Sequence, residues 1–275
     1  YQTVLDGKWT LDLQNSIASA FYIDLNGDSV RDAGDQYGFV TRRMPDTSIN
    51  DGYWSSLDLR TISKDENGYY AAGINADSFS TALDRLLALM DGDGTYGMCD
   101  NDDDIYKRFN EGLSAMSNAR LHIVESAGFR NMSDDYGIIP MPKATEEQAR
   151  YYTMAQDQII VYGMPVTVPE DRIEDVGVFL QTFATESGDV VRPAYYETAL
   201  TEKYMNDEES KQMLNLVIDS LYIDPSALYT SLSPLNVIVL RDILKKGENT
   251  IASVIAKNED RMQAFIDRIN EAYGG

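Results

Sequence analysis

Tyr136-Gly-Ile-Ile-Pro-Met-Pro-Lys143, followed by Gln148-x-x-Tyr151-Tyr152-Thr153, is the stretch whose reading decides the fold. It reads as a short apolar strand ending in Pro-x-Pro-Lys, then a polar segment. The apolar run Ile159–Val168 comes next and reads as a second strand, buried on both faces. That run closes on Pro169-Glu170-Asp171 and opens an apolar helix over Val176–Ala184. The order is strand, crossing, strand, helix.

Working outward, Thr10 is a helix N-cap, with Leu13, Ile17, Ala20 and Phe21 as the apolar face. A loop over Asp24–Asp35 leads to a strand at Gly38–Thr41. Residues 45–56 are rich in Pro, Asp, Ser and Gly and read as a loop carrying Tyr53 and Trp54. Residues 57–76 suit a hairpin with Asn67-Gly68 as its turn. Ser78 or Ser80 caps an amphipathic helix through Met90. The Gly- and Asp-rich residues 91–104 read as a solvated loop, including Asp91, Asp93, Asp100, Asp102, Asp103 and Asp104. A helix at 103–111, a strand at 113–117 and a helix near 121–127 follow. The last third is helical, over Asp207–Leu221, about 233–246 and Thr250–Tyr273.

Several segments carry a family resemblance in register with this order. They are Gly7-Lys8-Trp9-Thr10-Leu11-Asp12, Asp35-Gln36-Tyr37-Gly38-Phe39 and Phe109-Asn-Glu-Gly112-Leu-Ser-Ala115-Met116. Tyr195-Tyr196-Glu-Thr-Ala-Leu-Thr-Glu-Lys203-Tyr204 and Asp207-Glu-Glu-Ser210, with Met213, continue it. Together with the Pro-x-Pro-Lys crossing, they resemble the extracellular solute-binding proteins of bacterial ABC importers, in the sugar-type family 1 branch.

The resemblance implies an α/β fold like the type II periplasmic binding proteins, with two lobes hinged around a ligand cleft. Residues 1–140 and 200–275 would form the second lobe, and 150–190 a return segment of the first. Relatives begin with a lipoprotein signal and a long first segment. The expectation is therefore a C-terminal portion of an extracytoplasmic, membrane-anchored lipoprotein. Its partners would be a carbohydrate and the importer's membrane subunits.

For the site, the resemblance places a stacking aromatic in the loop of Tyr53 and Trp54. It also turns the segment after Ala115-Met116 toward the cleft, which points to Asn118, Arg120 and Ser117. The 229–236 segment is a third candidate, and Asp157 is a candidate cleft acid. The residues leave other roles open: a packing plug for Tyr53 and Trp54, a surface salt bridge for Arg120, a strand-capping role for Asp157.

Composition bounds the rest. Of 275 residues, 43% are hydrophobic and 25% charged, ordinary for a globular protein. Asp and Glu number 45 against 23 Lys and Arg, a net charge of −22. With no basic cluster, nucleic acid is not an expected partner. One cysteine, Cys99, excludes an internal disulfide, and with His122 as the single histidine it reads as an inert thiol.

Asp24-Leu-Asn26-Gly-Asp28-Ser-Val30-Arg-Asp32-Ala-Gly-Asp35 places oxygen side chains at loop positions 1, 3, 5, 9 and 12, with the Val30 carbonyl at position 7. That is the EF-hand spacing and predicts a structural calcium site. Ser29 stands where glycine is usual, and Asp35 where Glu is.

Gly-x-Ser-x-Gly, His-Glu-x-x-His, Walker and Gly-x-Gly-x-x-Gly motifs are absent. Non-catalytic solute binding is the leading reading. A carboxylate-pair glycoside hydrolase and a calcium-stabilised structural module are the alternatives. If the first lobe's other strands are missing, residues 150–190 lack partners. The chain should then self-associate through them and bind sugar weakly or not at all.

Overall fold

The computed structural model describes residues 1–44, 46–156, 162–196 and 208–274. The fold is mixed α/β, as the sequence predicts at that level. The short helix α1 (Gln2–Leu5) leads through Gly7, at φ 71°, to α2 (Leu11–Ala20). Thr10 caps α2, its side chain accepting the Leu13 N–H at 3.4 Å. The face of α2 is rotated from the expected one. Leu11, Gln14 and Ala18 are buried, Leu13 and Ile17 flank them, and Ala20 and Phe21 are exposed.

Next come β1 (Tyr37–Val40), α3 (Gly52–Ser56), β2 (Ile62–Lys64), β3 (Tyr70–Ala72), α4 (Ala76–Met90), β4 (Thr95–Tyr96), α5 (Asp102–Asn110) and β5 (Ser114–Ser117). The central sheet is parallel, in the order β4-β1-β5, with Phe39 opposite Thr95 and Met116. All four residues of β1 are buried. Helix α2 lies on this sheet at contact distance. A Cβ on Gly38 would come within 2.2 Å of the Ala18 carbonyl oxygen, and one on Gly94 within 2.1 Å of Ala18 backbone. Both positions therefore need glycine for reasons of space.

The predicted hairpin is present as antiparallel β2–β3, with Gly68 at φ 84° in its turn. The cap of α4 is Asn75, whose side chain accepts the Ser78 N–H at 3.0 Å, rather than Ser78 or Ser80. Two loop expectations are corrected. Tyr53 and Trp54 lie on the short helix α3, and both are fully buried. The 91–104 stretch contains β4 and the first turn of α5, where Asp102, Asp103 and Asp104 meet the positive end of the helix dipole.

After β5 come a 3-10 turn at Leu121–Glu125, α6 (Ala127–Arg130), β6 (Thr153–Met154), α7 (Glu170–Glu186) and a π-helical turn at Ser187–Val191. Then follow α8 (Glu208–Asp219), β7 (Leu221–Tyr222), α9 (Pro225–Leu228), α10 (Val237–Lys246) and α11 (Ile251–Gly274). β6 pairs with β7 in parallel, Thr153 opposite Leu221.

Pro140–Lys143 binds the start of α2 rather than forming a strand of a sheet. The Lys143 N–H donates to the Trp9 carbonyl at 3.0 Å, and the Leu11 N–H to the Lys143 carbonyl at 3.0 Å. The Trp9 indole donates to the Pro140 carbonyl at 2.9 Å. Lys143 is buried, its amine on the carbonyls of Glu146 and Gln148, each at 2.9 Å.

The main core joins α2, α3, α4, α10 and the start of α11 around Trp54, Phe79, Leu83, Leu86 and Leu240. Trp54 meets Phe79 edge to face at 6.2 Å. The second predicted strand, Ile159–Val168, is not a two-sided buried strand over its described part. Residues 159–161 lie outside the described residues, Val166 is fully exposed and 166–168 form a turn. Helix α7 starts close to prediction, but none of its residues is buried.

Candidate functional site: a cleft along the edge strand of the parallel sheet

A cleft of about 870 Å³ runs along β5, the edge strand of the parallel sheet, and past the loop segments at 48–52 and 118–124. Its walls come from distant parts of the chain: Ser48–Gly52 region side chains, the stretch 114–124 after and including β5, residues 134–142, and Thr153–Gln156 with Leu221.

Of the residues singled out from the sequence, Ser117, Asn118 and Arg120 line this cleft. Asn118 follows β5 directly and is buried. Its amide donates to Asn50 Oδ1 at 2.7 Å, which also accepts from Thr41 Oγ1 at 2.9 Å. Asn50 in turn donates to the Arg42 carbonyl at 2.7 Å. This network fastens the end of β5 to the loop after β1. Arg120 donates to Ser48 Oγ and pairs with Asp102 Oδ2 at 3.4 Å. The ion pair weighed against a ligand role is therefore present, and Arg120 still faces the cleft.

Tyr53 and Trp54 do not line the cleft. Tyr53 stands behind its wall: its hydroxyl donates to Gln14 Oε1 at 3.2 Å, and Gln14 does line it. Burial pushes the Tyr53 phenol upward. Neither ring can stack on a ligand in this conformation, because both are fully buried, Trp54 against Phe79. The packing-plug alternative is the one their burial describes. Asp157 lies outside the described residues.

The rings that do reach the cleft are Tyr1, Trp9, Phe109, Phe129, Tyr136 and Tyr196. Of these, Tyr1 is exposed, and its hydroxyl meets Ser210 Oγ at 3.0 Å. Tyr136 and Tyr196 are half-buried. His122 and the exposed pair Asp134 and Asp135 add polar groups. The 229–236 candidate segment lies elsewhere, at the start of α10.

Cys99 is buried, and desolvation together with nearby Asp104 pushes its thiol up to about 12. It is inert as a nucleophile at neutral pH.

The Asp24–Asp35 loop is exposed from 25 to 34. Ser29, at the position that favours glycine, has φ 62°. Asp24 accepts the N–H of Gly27 at 2.6 Å and of Ser29 at 2.9 Å, and Asp28 that of Val30 at 2.7 Å. Asp35 is buried and accepts the Tyr22 hydroxyl at 3.0 Å. The donors are all oxygens, which suits a hard cation. In this arrangement they serve the loop's own N–H groups. Among the described residues, no three acidic, His or Cys side chains converge as a metal cage.

Compared with protein-family models and with curated proteins, the chain matches none. Among the described residues, no helix is long and apolar enough to cross a membrane.

Proposed function

We propose that this chain is a carbohydrate-binding portion of an extracytoplasmic solute-binding protein serving an ABC importer, and that it acts without catalysis. The observation that carries the reading is the cleft along β5, with Asn118 and Arg120 in its wall. A sugar needs planar polar groups for its hydroxyls and aromatic faces for its apolar side. Asn118, Arg120 and His122 supply the first kind, and Tyr1, Tyr136 and Tyr196 the second.

Closure would be a hinge motion at the segments that cross between the two lobes. On the same reading, the Asp24–Asp35 loop takes calcium as a structural ion. Its carboxylates would have to turn inward from their present N–H partners.

Calorimetry with a panel of oligosaccharides, with the mixtures checked for cleavage products, tests this. Binding without products supports the reading. Cleavage products would transfer the function to a carboxylate-pair hydrolase. Neither binding nor cleavage at millimolar sugar would leave a structural module.

A further inference from the structure

One arginine of the body packs on the aromatic rings that flank the strand pair β6–β7. The Arg60 guanidinium carbon lies 4.5 Å from the Tyr152 ring centre and 5.0 Å from that of Tyr222. The two rings meet edge to face at 5.8 Å. Tyr152 immediately precedes β6, and Tyr222 ends β7. Arg150 adds a second cation 4.8 Å from the Tyr152 ring.

Asp58 holds Arg60 at both ends. Its carboxylate accepts from Arg60 Nε, and its carbonyl accepts the Arg60 N–H at 2.9 Å. Asp58 itself, at φ 57°, closes α3: its N–H donates to the Ser55 carbonyl at 3.0 Å and the Leu59 N–H to that of Trp54 at 3.1 Å. None of Arg60, Tyr152 and Tyr222 lines the cleft, whereas Thr153, Met154 and Leu221 on the same two strands do.

We propose that Arg60 is a positioning residue: a cation–π pin that fixes the β6–β7 pair and so sets the cleft wall made by Thr153, Met154 and Leu221. A guanidinium stacks on aromatic faces while keeping its in-plane N–H groups for a carboxylate. That dual use is what the Tyr152, Tyr222 and Asp58 contacts require. The pin does not depend on which ligand the cleft takes.

Amide hydrogen exchange by NMR on the full chain tests it. Thr153 N–H bonds to the Ser220 carbonyl at 2.9 Å, and Ala155 N–H to that of Tyr222 at 3.1 Å. Arg60→Met should speed exchange at these two amides by about three- to tenfold, the scale of one or two lost cation–π contacts. Phe39 and Thr41, in the central sheet, should be unchanged. Arg60→Lys should fall between, because it keeps the charge but loses the planar stack. Tyr222→Phe should match the parent protein, and Tyr222→Leu should match Arg60→Met. Unchanged exchange at Thr153 and Ala155 in Arg60→Met would overturn the proposal. So would the same acceleration at Phe39 and Thr41, which would mean only global destabilisation. The comparison of the Arg60 variants stands even if Tyr222→Leu does not fold.

Discussion

The Asp51 carboxylate takes both sides of the Arg241 guanidinium: Arg241 Nε donates to Oδ1 at 2.8 Å and a terminal nitrogen donates to Oδ2. Their side chains are only 5% and 15% exposed. Asp51 lines the cleft and precedes α3, while Arg241 sits on α10. One buried bidentate pair therefore ties the cleft's loop to the C-terminal helices.

Removing either partner leaves a buried charge alone, which costs about 3–5 kcal/mol. Asp51→Ala and Arg241→Ala should each lower urea-unfolding stability on that scale. The double variant should lose clearly less than the sum of the two. Additive losses, or single losses below about 1 kcal/mol, would mean that the pair does not act as a unit.

Trp54→Ala should cost about 3–5 kcal/mol, because the indole is fully buried against Phe79 and leaves a cavity. Trp54→Phe should cost less. Chemical denaturation checks both. A near-neutral Trp54→Ala would contradict the core assignment and reopen a ligand role.

The sequence made Thr10 readable as a cap and the Asn67-Gly68 turn readable as a hairpin, because both are local chemistry. Asn75 was harder to see, since Ser78 and Ser80 also suit a cap and lie closer to the apolar stripe. Tyr53 and Trp54 sit among loop-forming residues. They are buried in a core shared with Phe79 of α4 and Leu240 of α10, far along the chain, so composition points the wrong way. Asn118 and Arg120 were legible as cleft candidates through the resemblance, which turns the segment after Ala115-Met116 inward, and both line the cleft. Tyr1 and Tyr196 were not, because only tertiary folding brings the chain start and the end of a helical segment to the same cleft.

Asp224 gives a pH dependence with a definite sign. It is buried and accepts the Ser226 N–H at 2.7 Å. The Trp54 indole N–H makes no hydrogen bond of normal geometry, but it lies close enough to help hold the Asp224 charge. Desolvation outweighs these contacts and raises the carboxyl above its ordinary value of 3.8. A raised folded-state value means that the folded protein binds this proton more tightly than the unfolded chain. The stability it contributes is full below the unfolded value of about 3.9 and is lost as pH rises through the folded value. Asp224→Asn, which can still accept from Ser226, should therefore gain relative to the parent as pH rises from about 3.9. Thermal melts across that range check it. A constant difference, or one running the other way, would refute the sign.

If the Asp24–Asp35 loop takes calcium, chelator should lower the melting temperature and added calcium should restore it. Binding to the folded state alone stabilises by about 2.7 kcal/mol at a hundredfold excess over Kd. Asp28→Ala should remove the response. Identical melts with and without chelator would exclude the ion.

Helix α7 leaves Val178, Phe179 and Phe183 exposed, with Tyr162 packed on Phe183 at a ring separation of 5.6 Å. Apolar faces of this kind recruit partners. Light scattering at micromolar concentration should show self-association, and Phe179→Ser with Phe183→Ser should reduce it. A parent protein that stays monomeric would contradict the expectation.

The most direct test of the carbohydrate reading is an amide chemical-shift titration of the full chain with millimolar oligosaccharides, since that range also captures weak binding. The account predicts saturable shifts clustered at Ser117, Asn118, Arg120 and Thr153, reduced in Asn118→Ala and Arg120→Ala. No shifts with any sugar in the panel, or shifts confined to residues away from this cleft, would contradict it.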